Sequence, residues 1–223
     1  MIGIWIVLLA MVIMAIVFRP KESPFKLTDR VLIITAHPDD ECMFFGPTIL
    51  HLKMRNIPVK IICLSSGNYD GLGQTRKKEF VKAIEAYGAE GECVAEFDDG
   101  PERWNRDDVS EFVKTQVAYY KASVLVTFDS YGVSGHVNHQ SCSEIKKIDK
   151  VRVLYLESVY LLRKFSATCD LVLTSTSGLQ YVVAGSWPSV KAMFCHRSQL
   201  VWYRLLYIAM SRYMTINSYR TRA

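Results

Sequence analysis

Two short polar clusters carry the chemistry this chain can offer. Ala36-His37-Pro38-Asp39-Asp40-Glu41 places an imidazole and three carboxylates directly after the apolar run Val31-Leu32-Ile33-Ile34, and His136-Val137-Asn138-His139 follows a second run, Val124-Leu125-Val126. Imidazole and carboxylate are the ligand types of a catalytic zinc, which takes about three protein groups and leaves one position for water. If the turn after the first run becomes helical, His37 and Asp40 share a face with Asp39 beside it, and His136 and His139 repeat the i, i+3 spacing. Pro38 stiffens the first turn, and Gly132 and Gly135 let the second loop approach closely. Two histidines and one carboxylate on a metal leave one aspartate and one histidine free. Metal-assisted hydrolysis needs those two, one as general base and one as acid or cation beside a developing oxyanion. Of the remaining candidates, Glu41 reads as a supporting or capping group. His51, between Leu50 and Leu52, reads as structural, and His196 as a core or site-edge residue.

Such clusters work together only if the fold brings two strand ends side by side. Arg30–Thr35 is a continuous apolar strand of the kind buried on both faces of a parallel sheet. Further strands are expected at Val59–Leu64, Cys93–Phe97, Val124–Phe128 and Val151–Leu156, with one more at Tyr181–Val183. Between them the patterning predicts helices at Phe44–Asn56, Gln74–Tyr87, Asp107–Lys121 and Asn138–Ile148, and a long C-terminal helix over Ser189–Arg212. Gly88 and Gly91 close the second helix, and Asp107 and Asp108 cap the third. This alternation implies an α/β fold: a Rossmann-like open, mostly parallel sheet with helices on both faces and right-handed crossovers. With strand order 3-2-1-4-5, the first and fourth strands meet at the switch point where ligands bind, and both polar clusters land there.

The 223 residues suit one full domain. Half of them are apolar and the net charge is only +5, without a basic block, so no nucleic-acid partner is expected. Six scattered cysteines with no CxxC pair read as reduced core residues. Residues 1–18 carry no charge, and a bilayer core needs about 17–25 apolar residues as a helix, so this segment is expected to be one N-terminal transmembrane helix. Arg19 and Lys21 follow it. The positive-inside rule then puts the rest of the chain on the cytoplasmic side as a single-pass protein. Residues 19–29 form a linker and 30–223 the catalytic domain. In the C-terminal helix, Arg197, Arg204 and Arg212 recur at near-heptad spacing with Trp202, Tyr203, Tyr207 and Tyr213 among them. Such a helix suits either a lipid headgroup region or packing on the sheet.

The sequence is identified as a member of a known family. The AHPDDE segment, the loop Ser65-Ser66-Gly67-Asn68, Gly71-Leu72-Gly73 with Arg76, and His136–His139 after Phe128-Asp129 resemble the LmbE-like/PIG-L de-N-acetylases. The N-terminal segment, Ser130–His136 and Cys195–Trp202 are similar to the eukaryotic branch, which acts on N-acetylglucosaminyl-phosphatidylinositol in GPI-anchor synthesis. The resemblance implies Zn²⁺, or another divalent metal, held by His37, Asp40 and His139. It makes Asp39 the general base and His136 the group that protonates or stabilises the tetrahedral intermediate. Asn68 and Arg76 are expected to contact sugar or phosphate. The implied partners are a membrane phospholipid substrate and the membrane surface, and the implied place is the endoplasmic reticulum membrane. Asn138 departs from the more usual aspartate, which puts the tuning of His136 in question, and the stretch from His139 to Val151 is short for the helix that usually follows. A soluble GlcNAc conjugate is an alternative substrate. A receiver-like Mg²⁺-binding signalling domain, built on Asp39 and Asp40, is the alternative of a different class. It lacks an acceptor aspartate at Leu64-Ser65-Ser66 and leaves both histidines unexplained.

Overall fold

Five segments fold as parallel strands: β1 (Val31–Thr35), β2 (Val59–Ser65), β3 (Glu90–Phe97), β4 (Val124–Phe128) and β5 (Arg152–Leu156). Two more, β6 (Gln180–Val183) and β7 (Ile216–Arg220), complete one sheet in the order β3-β2-β1-β4-β5-β7-β6. The structure, a computed structural model, describes residues 23–221. The proposed transmembrane segment, residues 1–18, lies outside them. Among the described residues no helix is long and apolar enough to cross a membrane.

Burial explains the order. All five residues of β1 and of β4 are buried, so these two strands can only be interior ones. Their register pairs Val31 with Val124 and Val31 with Val59 of β2. The helices are α1 (Asp40–Met43), α2 (Gly46–Met54), α3 (Gly73–Tyr87), α4 (Arg106–Tyr120), α5 (Val137–Ser143), α6 (Leu161–Lys164), α7 (Leu171–Thr176), α8 (Trp187–Met193) and α9 (Trp202–Met210). Strand order grows outward from β1 to β3 and then reverses to β4. Right-handed crossovers therefore put α2 and α3 on one face and α4 on the other. The reversal leaves the ends of β1 and β4 adjacent, as the alternation implied.

Several boundaries differ from the sequence reading, each for a local reason. The helix expected over Phe44–Asn56 is the shorter α2, which starts after Phe45 with Pro47 in its first turn, and the separate short α1 precedes it. The cap of α4 is Asn105, whose side chain accepts the Asp107 and Asp108 amides; those two acids occupy the first turn instead. The helix after His139 stops at Ser143, and Ile145 turns into the core. The long C-terminal helix does not form. Ser189–Arg212 is α8, a 3-10 turn at Arg197–Gln199, α9 and another turn at Arg212–Met214. Val201 is extended (φ −87°, ψ 163°), which ends any continuous helix.

That break separates the three arginines. Arg197 stays exposed, while Arg212 is fully buried and cannot serve a headgroup. Its guanidinium meets Asp170 at 3.0 Å and donates to Ser218 at 3.0 Å, tying the segment before β7 to the segment before α7. Arg163 grips the other side of Asp170 at 2.6 Å and 2.9 Å. Removing one partner of a buried ion pair leaves an uncompensated charge and typically costs about 3–5 kcal/mol. Arg212→Ala is therefore expected to lower the urea-denaturation free energy by about 3 kcal/mol. A change below about 1 kcal/mol, the range of exposed pairs, would show the pair to be dispensable.

Candidate active site

The five cluster residues meet at the joint end of β1 and β4. β1 delivers His37, Asp39 and Asp40 in the turn that opens α1. The loop after β4 folds back through a kinked turn at Gly132–Gly135, and α5 then presents His139. Asp40 is fixed from two sides. Its Oδ2 accepts the Ala36 and His37 amides at 3.0 Å and 2.8 Å, and its Oδ1 faces His139 Nε2 at 3.2 Å. Burial opposes ionisation here, but the His139 and His37 rings and the His37 amide outweigh it and hold the carboxyl well below the usual range.

His139 is oriented as a metal-ligating histidine must be. Its Nδ1 donates to Gly132 O at 2.9 Å, so Nε2 carries a free lone pair toward Asp40 and His37. Phe128 lies flat against the ring, 4.3 Å away at 3°. His37 Nδ1 stands 3.2 Å from that Nε2. On its other side, His37 Nε2 meets Asn138 Oδ1 at 3.1 Å and Asp99 Oδ1 at 3.0 Å. Burial lowers the His37 pKa, yet Asp99, Asp40 and Asp39 together raise it. Asn138 therefore acts on His37 through its side chain. His136 instead receives the Asn138 backbone amide, at Nδ1 and 3.2 Å. His136 is exposed at the mouth, with its ring 4.7 Å from that of His37. Partial burial, with His37 and His139 nearby, pushes its pKa down to about 4. It is neutral near pH 7, and because Nδ1 accepts, its proton sits on Nε2.

Asp39 has a different setting from its neighbour. Its backbone is left-handed (φ 118°), a conformation that persists at functional sites only where surroundings enforce it. Glu41 Oε2 accepts the Asp39 amide at 3.0 Å, and Glu41 Oε1 is bound by His196 Nε2 at 2.6 Å with both side chains fully buried. The Asp39 carboxylate lies between two guanidinium groups, Arg76 at 3.5 Å and Arg204 at 2.9 Å. Burial pushes its pKa up, and these two arginines only partly offset that.

Arg76 is buried and committed: it donates to Gly67 O at 3.1 Å and Pro38 O at 2.8 Å. A Cβ on Gly67 would overlap that guanidinium, 2.4 Å away, so the residue there has to be glycine. Arg76 thus holds Asp39 and the strand-end turn. Asn68 is exposed and its Oδ1 accepts the Gly73 amide at 2.8 Å, which fixes the start of α3. His51, expected to be structural, bonds Ser23 at 2.9 Å away from the site. Asp99, the inward course of Arg204 and the pairing of Glu41 with His196 are not read from the sequence. Asp99 lies in a loop without a motif, and the expected arginine-bearing C-terminal helix leaves headgroup contact and packing on the sheet both open. The Glu41–His196 pair spans 155 positions, a separation no local pattern reveals.

Two cavities flank the turn between Tyr131 and Val137. One, about 520 Å³, is lined by Tyr69, Asp70, Asp99, Gly100, Pro101 and His136, among others. The other, about 760 Å³, is lined on the far side of the same turn by Tyr131, Ser158, Tyr160 and Lys164, among others. Imidazole and carboxylate donors thus converge, buried on one side and open on the other, with a second buried carboxylate, Asp39, next to them.

Comparison with known proteins shows the family to which the chain belongs. Residues 32–147 match the PIG-L family, described as GlcNAc-PI de-N-acetylase. The chain is 39% identical over 207 residues to the N-acetylglucosaminyl-phosphatidylinositol de-N-acetylase of Bos taurus, covering 85% of this chain and 82% of that one. It is 36% identical over 211 residues to a Schizosaccharomyces pombe protein named "Probable N-acetylglucosaminyl-phosphatidylinositol de-N-acetylase", covering 85% of each. Among solved structures, the N,N'-diacetylchitobiose deacetylase of Pyrococcus horikoshii shares the fold with a TM-score of 0.62 at 15% identity, over 94% of this chain and 89% of that one.

Two outcomes test the site's architecture. Gly132 has φ +69°, and a Cβ there would stand 2.6 Å from His139 Cβ. Gly132→Ala is expected to lose about 1–2 kcal/mol from the left-handed backbone alone, with a thermal midpoint lower by at least ~2–4 °C. An unchanged midpoint would mean that the turn does not need glycine. The second concerns His196. Burial lowers its pKa, but Glu41, with Asp39 and Glu79, raises it above 6.5. A raised folded pKa stabilises fully below the unfolded value and loses its contribution as pH rises through the folded one. The stability gap between wild type and His196→Gln, from urea denaturation, is therefore expected to be wider near about pH 5.5 than near about pH 9. Equal gaps would show that the charge on His196 does not hold Glu41.

Proposed function

Because the chain belongs to the PIG-L family of GlcNAc-PI de-N-acetylases, we propose that it hydrolyses the acetamide of N-acetylglucosaminyl-phosphatidylinositol, releasing acetate in GPI-anchor synthesis. The observation that carries the reading is the convergence of His37 Nδ1, His139 Nε2 and Asp40 Oδ1 beside a separate, unligated aspartate. The donor set fits zinc: two imidazoles and a carboxylate, one imidazole with its tautomer fixed by a backbone carbonyl. His37, Asp40 and His139 are the residues to hold it, with His136 at the open side. Zinc there would supply Lewis acidity, polarising the acetamide carbonyl and lowering the pKa of water toward about 7.

The chain's own groups perform the rest. Asp39 takes the proton of the attacking water and returns it to the leaving amine. Its upward-shifted pKa brings it nearer working pH, where a base is most effective. Arg76 and Arg204 keep its carboxylate aimed at the site. His136, neutral with its proton on Nε2, donates a hydrogen bond to the oxyanion.

A substrate with two acyl chains does not leave the bilayer readily, at about 0.8 kcal/mol for each buried CH₂. The surface near the site suits that partner. Trp202, Leu205, Leu206 and Met210 of α9, Leu161 and Leu162 of α6 and Tyr160 just before it are exposed, and α9 carries Arg204 inward to Asp39. With residues 1–18 as a single-pass anchor and the positive-inside rule for Arg19 and Lys21, the domain would lie against the cytoplasmic face of the endoplasmic reticulum membrane.

Acetate release from GlcNAc-phosphatidylinositol is the direct assay. Chelation is expected to abolish it and added zinc to restore it, and Asp39→Asn is expected to lower kcat by about 10²–10⁴ with KM little changed. Turnover that survives either treatment would reject this reading.

A further inference from the structure

The larger cavity beside the turn carries an imbalance of charge. Asp129 lines it, but that carboxylate already accepts the amides of Tyr131, Gly132 and Ser158 and the Ser158 hydroxyl. Arg220 is paired with Glu157 at 2.8 Å. Lys164 is left. It is half-buried, and its Nζ donates to Val133 O at 3.2 Å. Among the described residues no carboxylate lies within ion-pair range of it. Burial and the neighbouring Arg204 cation both push its pKa down. Two cations near each other, one without an acid, form an arrangement that a bound anion would relieve.

The smaller cavity has the opposite character. Asp70, Asp99 and His136 line it, with no lysine or arginine. It offers acceptors for the hydroxyls of a neutral sugar and nothing for an anion. The two cavities share only the turn that carries His136, so a ligand with a sugar at one end and a phosphate further along meets matching chemistry on each side. Beyond Lys164 the larger cavity opens past Tyr160 and Leu161, which are 64% and 70% exposed. Apolar groups attached to the phosphate would leave the site there.

Resting on the de-N-acetylase reading above, we propose that the larger cavity seats the phosphodiester of the lipid substrate, with Lys164 as its charged ligand and the glycerolipid leaving past Tyr160 and Leu161. The phosphate stays intact. Lys164 contributes binding and takes no part in proton transfer. Lys164 and the cavity thereby become determinants of specificity for a phosphate-bearing substrate.

The test uses the full chain, zinc-loaded, in detergent micelles. Calorimetric titration with glycerophosphoinositol is expected to show binding that Lys164→Gln weakens about tenfold or more, the worth of one charged hydrogen bond. Lys164→Arg is expected to stay within about threefold, because it keeps the charge. Lys114→Gln, on the exposed face of α4, serves as control. With GlcNAc-phosphatidylinositol, Lys164→Gln is expected to raise KM while kcat holds. Equal binding by wild type and Lys164→Gln overturns the proposal. So does an equal loss in both Lys164 variants, which would mean a packing role. Inorganic phosphate binding as tightly as glycerophosphoinositol would overturn the assignment to a lipid headgroup. A chain that fails to release acetate yet binds glycerophosphoinositol through Lys164 would reject the activity and keep the seat. Turnover indifferent to Lys164 would keep the activity and reject the seat.

Discussion

One carboxylate joins the two halves of this site. Asp40 uses one oxygen to close its own turn, through the Ala36 and His37 amides, and the other to face a histidine 99 positions later in the chain. Neither arrangement is possible unless β1 and β4 are neighbours, and they are neighbours because strand order reverses after β3. The local turn and the long-range topology are thus tied at a single side chain. The histidines, the aspartate beside them and the turn bearing His136 all take their positions from that tie.

Two adjacent aspartates have been given opposite environments. Asp40 is tied to backbone amides and imidazoles, which favour its charged form. Asp39 is held by guanidinium groups within a burial strong enough to oppose ionisation. Environment thus separates the properties of two like groups, one held charged and the other pushed toward its neutral form. Asp39 has a left-handed backbone. The Glu41–His196 pair holds that backbone from below. The third acid of the motif is thus the support for the first.

The sequence made much of this legible, and the reasons are physical. Fully buried parallel strands read as unbroken apolar runs, so β1, β2, β4 and β5 were visible, and their alternation with helices implied the order around the site. The metal-type residues stood at the ends of those runs. Groups that reach the site by folding back were not visible. Arg204 and Asp99 lie in segments whose local pattern says nothing about what they face, and His196, read as a core or site-edge residue, gives no sign in the sequence of its partner Glu41. β7 escaped notice because Ile-Asn-Ser-Tyr-Arg has no apolar run: Asn217 and Ser218 are buried but bonded, Asn217 to Phe44 and Thr48 and Ser218 to Glu157. The Ser189–Arg212 segment misled because its arginine spacing suits a helix, whereas the inward turn at His196 and the extended Val201 break it. Arg212 is the clearest case, since an arginine looks solvated in a sequence and here is sealed against Asp170.

The flat stacking of Phe128 on His139 has a consequence for observation. Protons held over the face of an aromatic ring are shielded by its circulating electrons, so their resonances move upfield of ordinary imidazole signals. His139 therefore carries its own label. In a proton spectrum its ring signals would stand apart from those of His51 and His196, neither of which lies against Phe128. Displacement of α5, which carries His139, would return them to the crowd, and this native ring current reports on the site without any added probe.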